Sequence, residues 1–176
     1  MSHLRISIGC AILLCCYMGA QAQRVDWNMS GAKEVNEMID KLPLADQMRI
    51  EERLRMKGSQ LRGERIDTSS GHLFLVQGVG DICGANNCEF WILSGNYKVL
   101  LEKVTQTFKL LPSVHRGLPD LMTSMEGGAY DSSLSYWQFQ GKRYVRVACA
   151  DAVYGDADGN AFKSPHISPH PCGTGG

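Results

Sequence analysis

Two cysteines separated by four residues lie in the segment DICGANNCEFWILSG (81–95), where a pair of thiols could bind a metal, exchange electrons or form a disulfide. A structural zinc site usually takes four ligands, and no second cysteine pair lies near Cys83 and Cys88. A redox pair is typically Cys-x-x-Cys at the start of a helix, whereas the residues after Cys88 are typical of a strand. The favoured interpretation is a disulfide; metal binding and free thiols stay open as alternatives.

The N-terminus combines a basic start, an apolar stretch and an Ala-x-Ala site at Ala20 and Ala22. This pattern predicts a secretory signal peptide over residues 1–22, and its apolar stretch is too short for a stable transmembrane span. A lipid anchor is a less favoured alternative. We therefore expect a secreted or periplasmic protein.

Removal of the signal peptide leaves four cysteines, and an even number in an exported chain is typical of disulfides: Cys83, Cys88, Cys149 and Cys172. Cys149 alternates in phase with Val145 and Val147, which are apolar residues of a predicted strand. We expect a Cys149–Cys172 bridge that folds the C-terminal segment back over the strand. The alternative is a buried Cys149 and a mobile tail that pairs with another chain.

Three polar residues, His115, Arg116 and Asp120, lie in the segment PSVHRGLPDL, which resembles a loop between strands. They could line a polar binding site or, with a serine from elsewhere, contribute acid–base chemistry. No nucleophile motif accompanies them, so the favoured alternative is that Asp120 ties a turn around Pro119 while the basic pair is solvated.

Two C-terminal patterns suggest metal binding only weakly. Asp156, Asp158 and Asn160 alternate as calcium ligands do, but the glycine and the final glutamate of an EF-hand loop are not in place. His166 and His170 precede Cys172 within seven residues, among prolines that favour a flexible tail. We therefore assign no metal ligands and no cofactor.

Aromatic residues concentrate on the predicted strands: Trp91, Tyr97, Tyr136, Trp137, Phe139 and Tyr144. Aromatic faces that point to solvent could bind a glycan or a peptide, and packing in the core is the favoured alternative. The candidate ligand-binding residues are Trp91, His115, Arg116, Asp120, Tyr136 and Trp137.

The elements that must position these residues divide the chain at about residue 70. Val35, Met38, Ile39 and Leu42 are spaced as on one helix face, with Ser30 as a plausible N-cap. Pro43 interrupts the pattern, and a second helix is predicted to continue to Gly58. Residues 23–70 are thus expected to be an N-terminal helical segment.

Residues 71–153 are predicted to form an antiparallel β domain, because short runs of aromatic and branched residues alternate with turn residues. Gly95-Asn96 and Gln140-Gly141 are typical of tight hairpins. The segment EFWIL is apolar on both faces, which predicts a central strand. Residues 154–176 are expected to be a flexible tail. The fold class is α+β, with two N-terminal helices packed on a bent antiparallel β-sheet of about five to seven strands.

The full chain carries 18 basic and 18 acidic residues, a balance that indicates neither nucleic acid nor an anionic membrane as a partner. The order of Cys-x4-Cys, Trp91, GLPDL and YWQFQGKRYVRVAC resembles small exported bacterial proteins of uncharacterised function over residues 71–149. The resemblance implies no activity. We expect a non-catalytic binding protein for a protein or a cell-envelope glycan. The alternatives are an exported inhibitor or immunity protein against an envelope hydrolase, and a small hydrolase that uses His115 and Asp120.

Overall fold

The computed structural model describes residues 25, 27, 35–84, 87–127, 130–156, 158 and 160–173. In these residues one α-helix is followed by nine strands: α1 (Leu44–Leu54), β1 (Leu61–Thr68), β2 (Gly71–Gly78), β3 (Cys88–Ser94), β4 (Val99–Thr105), β5 (Thr107–His115), β6 (Leu118–Glu126), β7 (Asp131–Phe139), β8 (Tyr144–Gly155) and β9 (Ala161–His170). The predicted signal peptide and the predicted helix cap at Ser30 lie outside the described residues.

The strands form two antiparallel sheets in which each strand pairs with its neighbour in the chain. The first sheet has the order β1-β2-β3-β4 and the second has the order β5-β6-β7-β8-β9. Because consecutive strands run in opposite directions, their connections alternate between the two ends of the fold. The connections β1–β2, β3–β4, β5–β6 and β7–β8 therefore lie at the same end.

Strand β3 is covered on both faces, as its two-sided apolarity predicted. Phe90 and Ile92 pack into the cluster between the two sheets, which includes Leu121 and Trp137 of the second sheet. Trp91 belongs to the cluster beneath α1. Because β3 lies inside the first sheet and is buried on both sides, it holds the layers of the fold together.

Different residues pack on the outer faces of the two sheets. Ile50 of α1 packs with Phe74 and Trp91 on the first sheet. On the second sheet, Tyr136 lies in an apolar cluster against which Trp27 packs, and the two rings meet edge to face with their centroids 6.3 Å apart. The described residues thus place α1 on one outer face, and Val25 and Trp27 on the other.

The prediction of two N-terminal helices is wrong for the described part of the first one. Ile39–Lys41 is a single 3-10 turn, and Met38 forms a bridge with Arg62 of β1. The N–H of Gly63 donates to the carbonyl oxygen of Glu37 at 2.8 Å. The segment lies along the outer edge of β1, where pairing with an open strand edge outweighs the weak helical pattern.

The predicted second helix is present but shorter. It ends at Leu54 because Arg55 adopts a left-handed conformation with φ of 58°, and the following N–H, that of Met56, donates to Glu51. Residues 61–68 (LRGERIDT), which we placed in the N-terminal helical segment, form β1 instead. This strand is rich in charge because it lies at the edge of its sheet.

The C-terminal segment also differs from the expected flexible tail. Ala161–His170 forms β9 and pairs with β8, so the fold has more strands than predicted and two sheets instead of one. The strand was not predicted because it contains Pro165 and Pro169, and proline is uncommon in strands. An edge strand tolerates proline because only one of its sides needs backbone donors.

Both predicted disulfides are present. Cys83–Cys88 closes the connection between β2 and β3, and Cys149–Cys172 joins β8 to the residues after β9. The second bridge holds the C-terminal strand against the sheet. Among the helices of the described part, none has the length and apolar content that crossing a membrane requires.

Candidate functional site

Four hairpin turns meet at one end of the fold, which we call the turn face. They comprise residues 69–70, 95–98, 116–117 and 140–143, and the strand pairing of both sheets brings them together. The two turns predicted from Gly95-Asn96 and Gln140-Gly141 are confirmed as hairpins. The turn at 116–117 corrects the interpretation of PSVHRGLPDL as a loop, because both of its flanks are strands.

Hydrogen bonds join the turns across the face. The hydroxyls of Ser69 and Ser70 donate to the carbonyl oxygen of Gly117 at 3.4 and 3.2 Å. Nη1 of Arg116 donates to the carbonyl oxygen of Gln140 at 3.4 Å. These bonds connect the first sheet to the second and one hairpin to the next, so three of the four turns form one continuous surface, and the turn at 95–98 lines the same cavity.

Glycines allow this close approach at two positions. Gly117 has a φ of 84°, and a Cβ atom there would lie 3.0 Å from the hydroxyl oxygen of Ser70. Gly141 has a φ of 88°, and its Cβ atom would lie 3.2 Å from Nη1 of Arg116. Arg116 itself has a φ of 51°, so both central residues of the 116–117 turn are left-handed, as a type I′ hairpin requires.

The turn face contains an open cavity of about 350 Å³. All four hairpins contribute to its wall, with the residues Ser70, His72, Leu73, Ser94, Gly95, Asn96, Lys98, Leu100, Arg116, Leu118, Phe139, Gly141 and Lys142. The apolar members include the half-buried ring of Phe139, and the others carry hydroxyl, amide, imidazole or cationic groups. A cavity of this size with a few polar groups is the usual form of a small-ligand site.

A buried carboxylate lies directly behind this surface. Asp120 has no exposed area, and its oxygens lie 2.7 and 2.8 Å from Nδ1 of His115. The hydroxyl of Tyr136 donates to Oδ2 of Asp120 at 2.7 Å, and Oγ of Ser113 lies 2.9 Å from the same hydroxyl oxygen. The single hydroxyl proton of Tyr136 is used in its hydrogen bond to Asp120. The hydroxyl of Ser113 must therefore be the donor in the bond between Ser113 and Tyr136.

The other ring nitrogen of His115 faces an amide. Nε2 of Gln138 lies 3.0 Å from Nε2 of His115. With the amide donating, the imidazole accepts at Nε2 and carries its proton on Nδ1, which donates to Asp120. One arrangement of protons is thus consistent with all the bonds described above, and we call this group the Asp120 network: Ser113, His115, Asp120, Tyr136 and Gln138.

The Asp120 network joins three strands next to the 116–117 turn. Ser113 and His115 lie on β5, Asp120 on β6, and Tyr136 and Gln138 on β7. His115 is the last residue of β5 before Arg116, so the network holds the base of the hairpin that presents Arg116 to the cavity. Of the predicted site residues, the structure therefore brings His115, Asp120 and Tyr136 together and places Arg116 beside them.

A second tyrosine supports the same hairpin from the core. The hydroxyl of Tyr144 donates to the carbonyl oxygen of Pro119 at 2.9 Å. Burial, together with the charge of Asp120, raises the pKa of Tyr144 far above its ordinary value. The phenol is thus kept neutral, and it stays a hydrogen-bond donor even in alkaline solution.

The predicted aromatic surface does not form from Trp91, Tyr136 and Trp137. Their exposed fractions are 4%, 5% and 6%, so these rings belong to the core. Trp91 packs beneath α1, and Nε1 of Trp137 donates to Thr123 at 3.0 Å. Large aromatic residues on strands are usually buried, and here that general tendency decides their role.

The residues suggested as weak metal ligands have other contacts. Oδ1 of Asp156 accepts the backbone N–H groups of Asp158 and Asn160, at 3.1 and 2.9 Å. The ring of His166 packs edge to face on Phe162, and Cys172 forms its disulfide. The described residues contain no group of three or more His, Cys, Asp or Glu side chains placed to hold a metal ion.

His72, Lys98 and Lys142 of the cavity wall were not predicted from the sequence, and Phe139 was considered only as one of several aromatic residues on predicted strands. A partial signal was present, because two of the turns were predicted and alternate hairpin turns must lie at the same end of an antiparallel sheet. The hairpin between β1 and β2 could not be counted because β1 was assigned to a helix.

Comparison with models of protein families, with curated proteins and with solved structures finds no match to this chain. The arrangement of the turn face is therefore the observation from which a function must be argued.

Proposed function

We propose that this protein is a non-catalytic binding protein that holds a glycan at the turn face. The observation that supports the proposal is the cavity of about 350 Å³ to which all four hairpins contribute. A rigid scaffold that presents several turns around one depression is a common way of building a binding site.

The chemistry of the cavity wall suits a sugar. Phe139 offers part of an aromatic ring, and it is held in place by packing against Tyr144, with ring centroids 5.6 Å apart. Hydroxyl and amide groups surround it, among them Ser70 and Asn96, whose amide oxygen accepts the hydroxyl proton of Ser94. An apolar surface combined with fixed polar groups is how proteins orient small polar ligands.

The concave shape favours a glycan over a folded protein as the ligand. A stable protein interface usually buries about 800 Å² on each partner and needs apolar anchors at its centre. At the turn face, Leu73, Leu100 and Leu118 are buried and Phe139 is half-buried, so the accessible apolar surface is small, which suits a sugar unit better than a protein anchor.

The hydrolase alternative has one observation in its favour, the contact between His115 and Asp120. A general base would use Nε2 of His115, and this atom accepts from the amide of Gln138. The same geometry supports a positioning role for the pair, so we place hydrolysis second. The inhibitor alternative stays a prediction.

We also propose that the protein functions outside the cytoplasm, in the periplasm or as a secreted protein. Its two disulfides support this location, because such bonds persist in oxidising compartments.

The proposed function can be tested by affinity gel electrophoresis of residues 23–176 in gels that contain uncharged dextran, polygalacturonate or dextran sulfate. We expect at least one polysaccharide to retard the protein, and Phe139→Leu to weaken the retardation while it keeps the apolar contact with Tyr144. Phe162→Leu is the matched control, since it changes another half-buried phenylalanine, on β9. Migration unchanged in all three gels, or equal effects of the two substitutions, would refute the proposal. Hydrolysis of a polysaccharide that is lost in His115→Ala would favour the second candidate.

A further inference from the structure

Three cationic side chains from three different hairpins line the cavity of the turn face. Lys98 comes from the turn between β3 and β4, Arg116 from that between β5 and β6, and Lys142 from that between β7 and β8. His72, at the start of β2, lines the same cavity. None of the described residues of the cavity wall is acidic.

The composition of the chain does not explain this concentration of positive charge. Acidic and basic residues are equal in number over the whole sequence, so any basic patch must be balanced by acidic surface elsewhere. Within the described residues, Lys98, Arg116 and Lys142 form no ion pair. Asp67 is opposite His72 in the strand register, and its carboxylate pairs with Arg65 at 3.3 Å.

The backbone conformation of Arg116 directs its exposed side chain, which makes one long hydrogen bond. Its backbone is fixed in the left-handed turn, His115 beside it is bonded to Asp120, and its Nη1 donates to Gln140. A guanidinium carries five N–H groups, and this bond uses one of them. A planar group of donors held in this way is suited to binding two oxygens of one anion.

We propose that the turn face binds an oxyanion, a carboxylate or a sulfate, carried by the glycan. This inference rests on the proposed function and adds the class of ligand to it. Lys98, Arg116 and Lys142 surround the anionic group, while Phe139 contacts the sugar ring. Anionic substituents occur on sugars either as uronic acids or as sulfate esters, and the cluster of cations would attract both.

The experiment measures the retardation of residues 23–176 by polygalacturonate, by dextran sulfate and by uncharged dextran, in the gels described above. We expect retardation by one or both charged polymers, at least tenfold stronger than by dextran. Arg116→Gln should weaken it by about tenfold, because hydrogen bonds between charged groups are lost. Lys163→Gln is the matched control, since it removes the same charge from an exposed position on β9. The two charged polymers distinguish the carboxylate from the sulfate.

A second measurement separates specific binding from general attraction to a polyanion. Phe139→Leu should weaken binding to the charged polymer at unchanged charge, and an increase in NaCl from about 0.05 M to about 0.5 M should weaken it further. If uncharged dextran retards the protein as strongly as the charged polymers do, the inference of an anionic ligand is overturned. The proposed function would then remain supported. Equal losses in Arg116→Gln and Lys163→Gln would overturn it as well. If none of the three polymers retards the protein, both proposals fail.

Discussion

The carboxylate of Asp120 lies 2.7 Å from the imidazole of His115 at the base of the hairpin that carries Arg116. Asp120 is fully buried, yet its oxygens accept bonds from His115 and Tyr136. A buried carboxylate is costly unless such bonds surround it. The hydrogen bond between His115 and Asp120 therefore stabilises the turn that presents Arg116 to the cavity.

Asp120→Asn should lower the free energy of unfolding by about 2–3 kcal/mol. The asparagine side chain has one acceptor oxygen, whereas the carboxylate has two. Its NH2 group would therefore face either His115 or Tyr136, and because both of these groups are donors, one hydrogen bond would be lost. Urea unfolding followed by tryptophan fluorescence measures the change. Asp81→Asn is the control, because Asp81 is exposed on a 3-10 turn. Equal stabilities of the two variants would contradict a buried network.

Tyr144 should make the stability of the protein fall in alkaline solution. Burial, and then the charge of Asp120, raises the pKa of its phenol above the ordinary value of about 10 in the unfolded chain. Its contribution to stability is therefore complete below about pH 10, and it is lost as the pH rises towards the folded pKa, because the unfolded tyrosine ionises first.

The corresponding measurement is urea unfolding of Tyr144→Phe between about pH 7 and about pH 11. The variant should be about 1 kcal/mol less stable at neutral pH, since it loses the bond to Pro119, and its stability should decline less steeply above about pH 10. Tyr130→Phe, at a more exposed position, serves as the control. An alkaline slope identical to that of the unchanged protein would show that Tyr144 does not cause the decline.

The two disulfides should differ in how much they stabilise the fold. Cys149–Cys172 spans 23 residues and Cys83–Cys88 spans five. Chain entropy predicts losses of about 3 and about 2 kcal/mol when each pair is replaced by alanine. Thermal and urea unfolding of the two double variants measures this order. A larger loss for the Cys83/Cys88 variant would show that local geometry outweighs loop length.

Ile50→Ala should destabilise the protein by about 2–5 kcal/mol, because Ile50 is fully buried between α1 and the first sheet. Met48→Ala on the same helix is the control. Its side chain is 62% exposed, so the change should stay within about 0.5 kcal/mol. Circular dichroism during urea unfolding provides the measurement. Similar small effects at both positions would indicate that α1 is not docked on the sheet.

Apart from the Cys149–Cys172 bridge, the features that the sequence by itself determined are local ones. The spacing of Cys83 and Cys88 predicted their disulfide, the alternation in EFWIL predicted a strand buried on both faces, and Gly95-Asn96 and Gln140-Gly141 predicted hairpins. Each depends on residues within a few positions of one another. Short-range geometry is enough to specify such features.

The edge strands β1 and β9 could not be recognised in the sequence, for a physical reason. A strand at the edge of a sheet is paired on one side only, so it can carry the charges of β1 and the prolines of β9 without losing its place. Its composition then resembles that of a helix surface or a tail. Pairing with the neighbouring strand, β2 for β1 and β8 for β9, decides its conformation.

The sequence predicted two of the four turns of the turn face, and the tertiary structure decided its cavity. This cavity combines His72, Lys98, Arg116 and Lys142, which come from four hairpins and lie up to 70 positions apart in the sequence. Their approach depends on how many strands precede each turn and on how the two sheets pack together. These are properties of the whole core, because burial of apolar surface between the sheets sets the positions of the hairpin ends relative to each other.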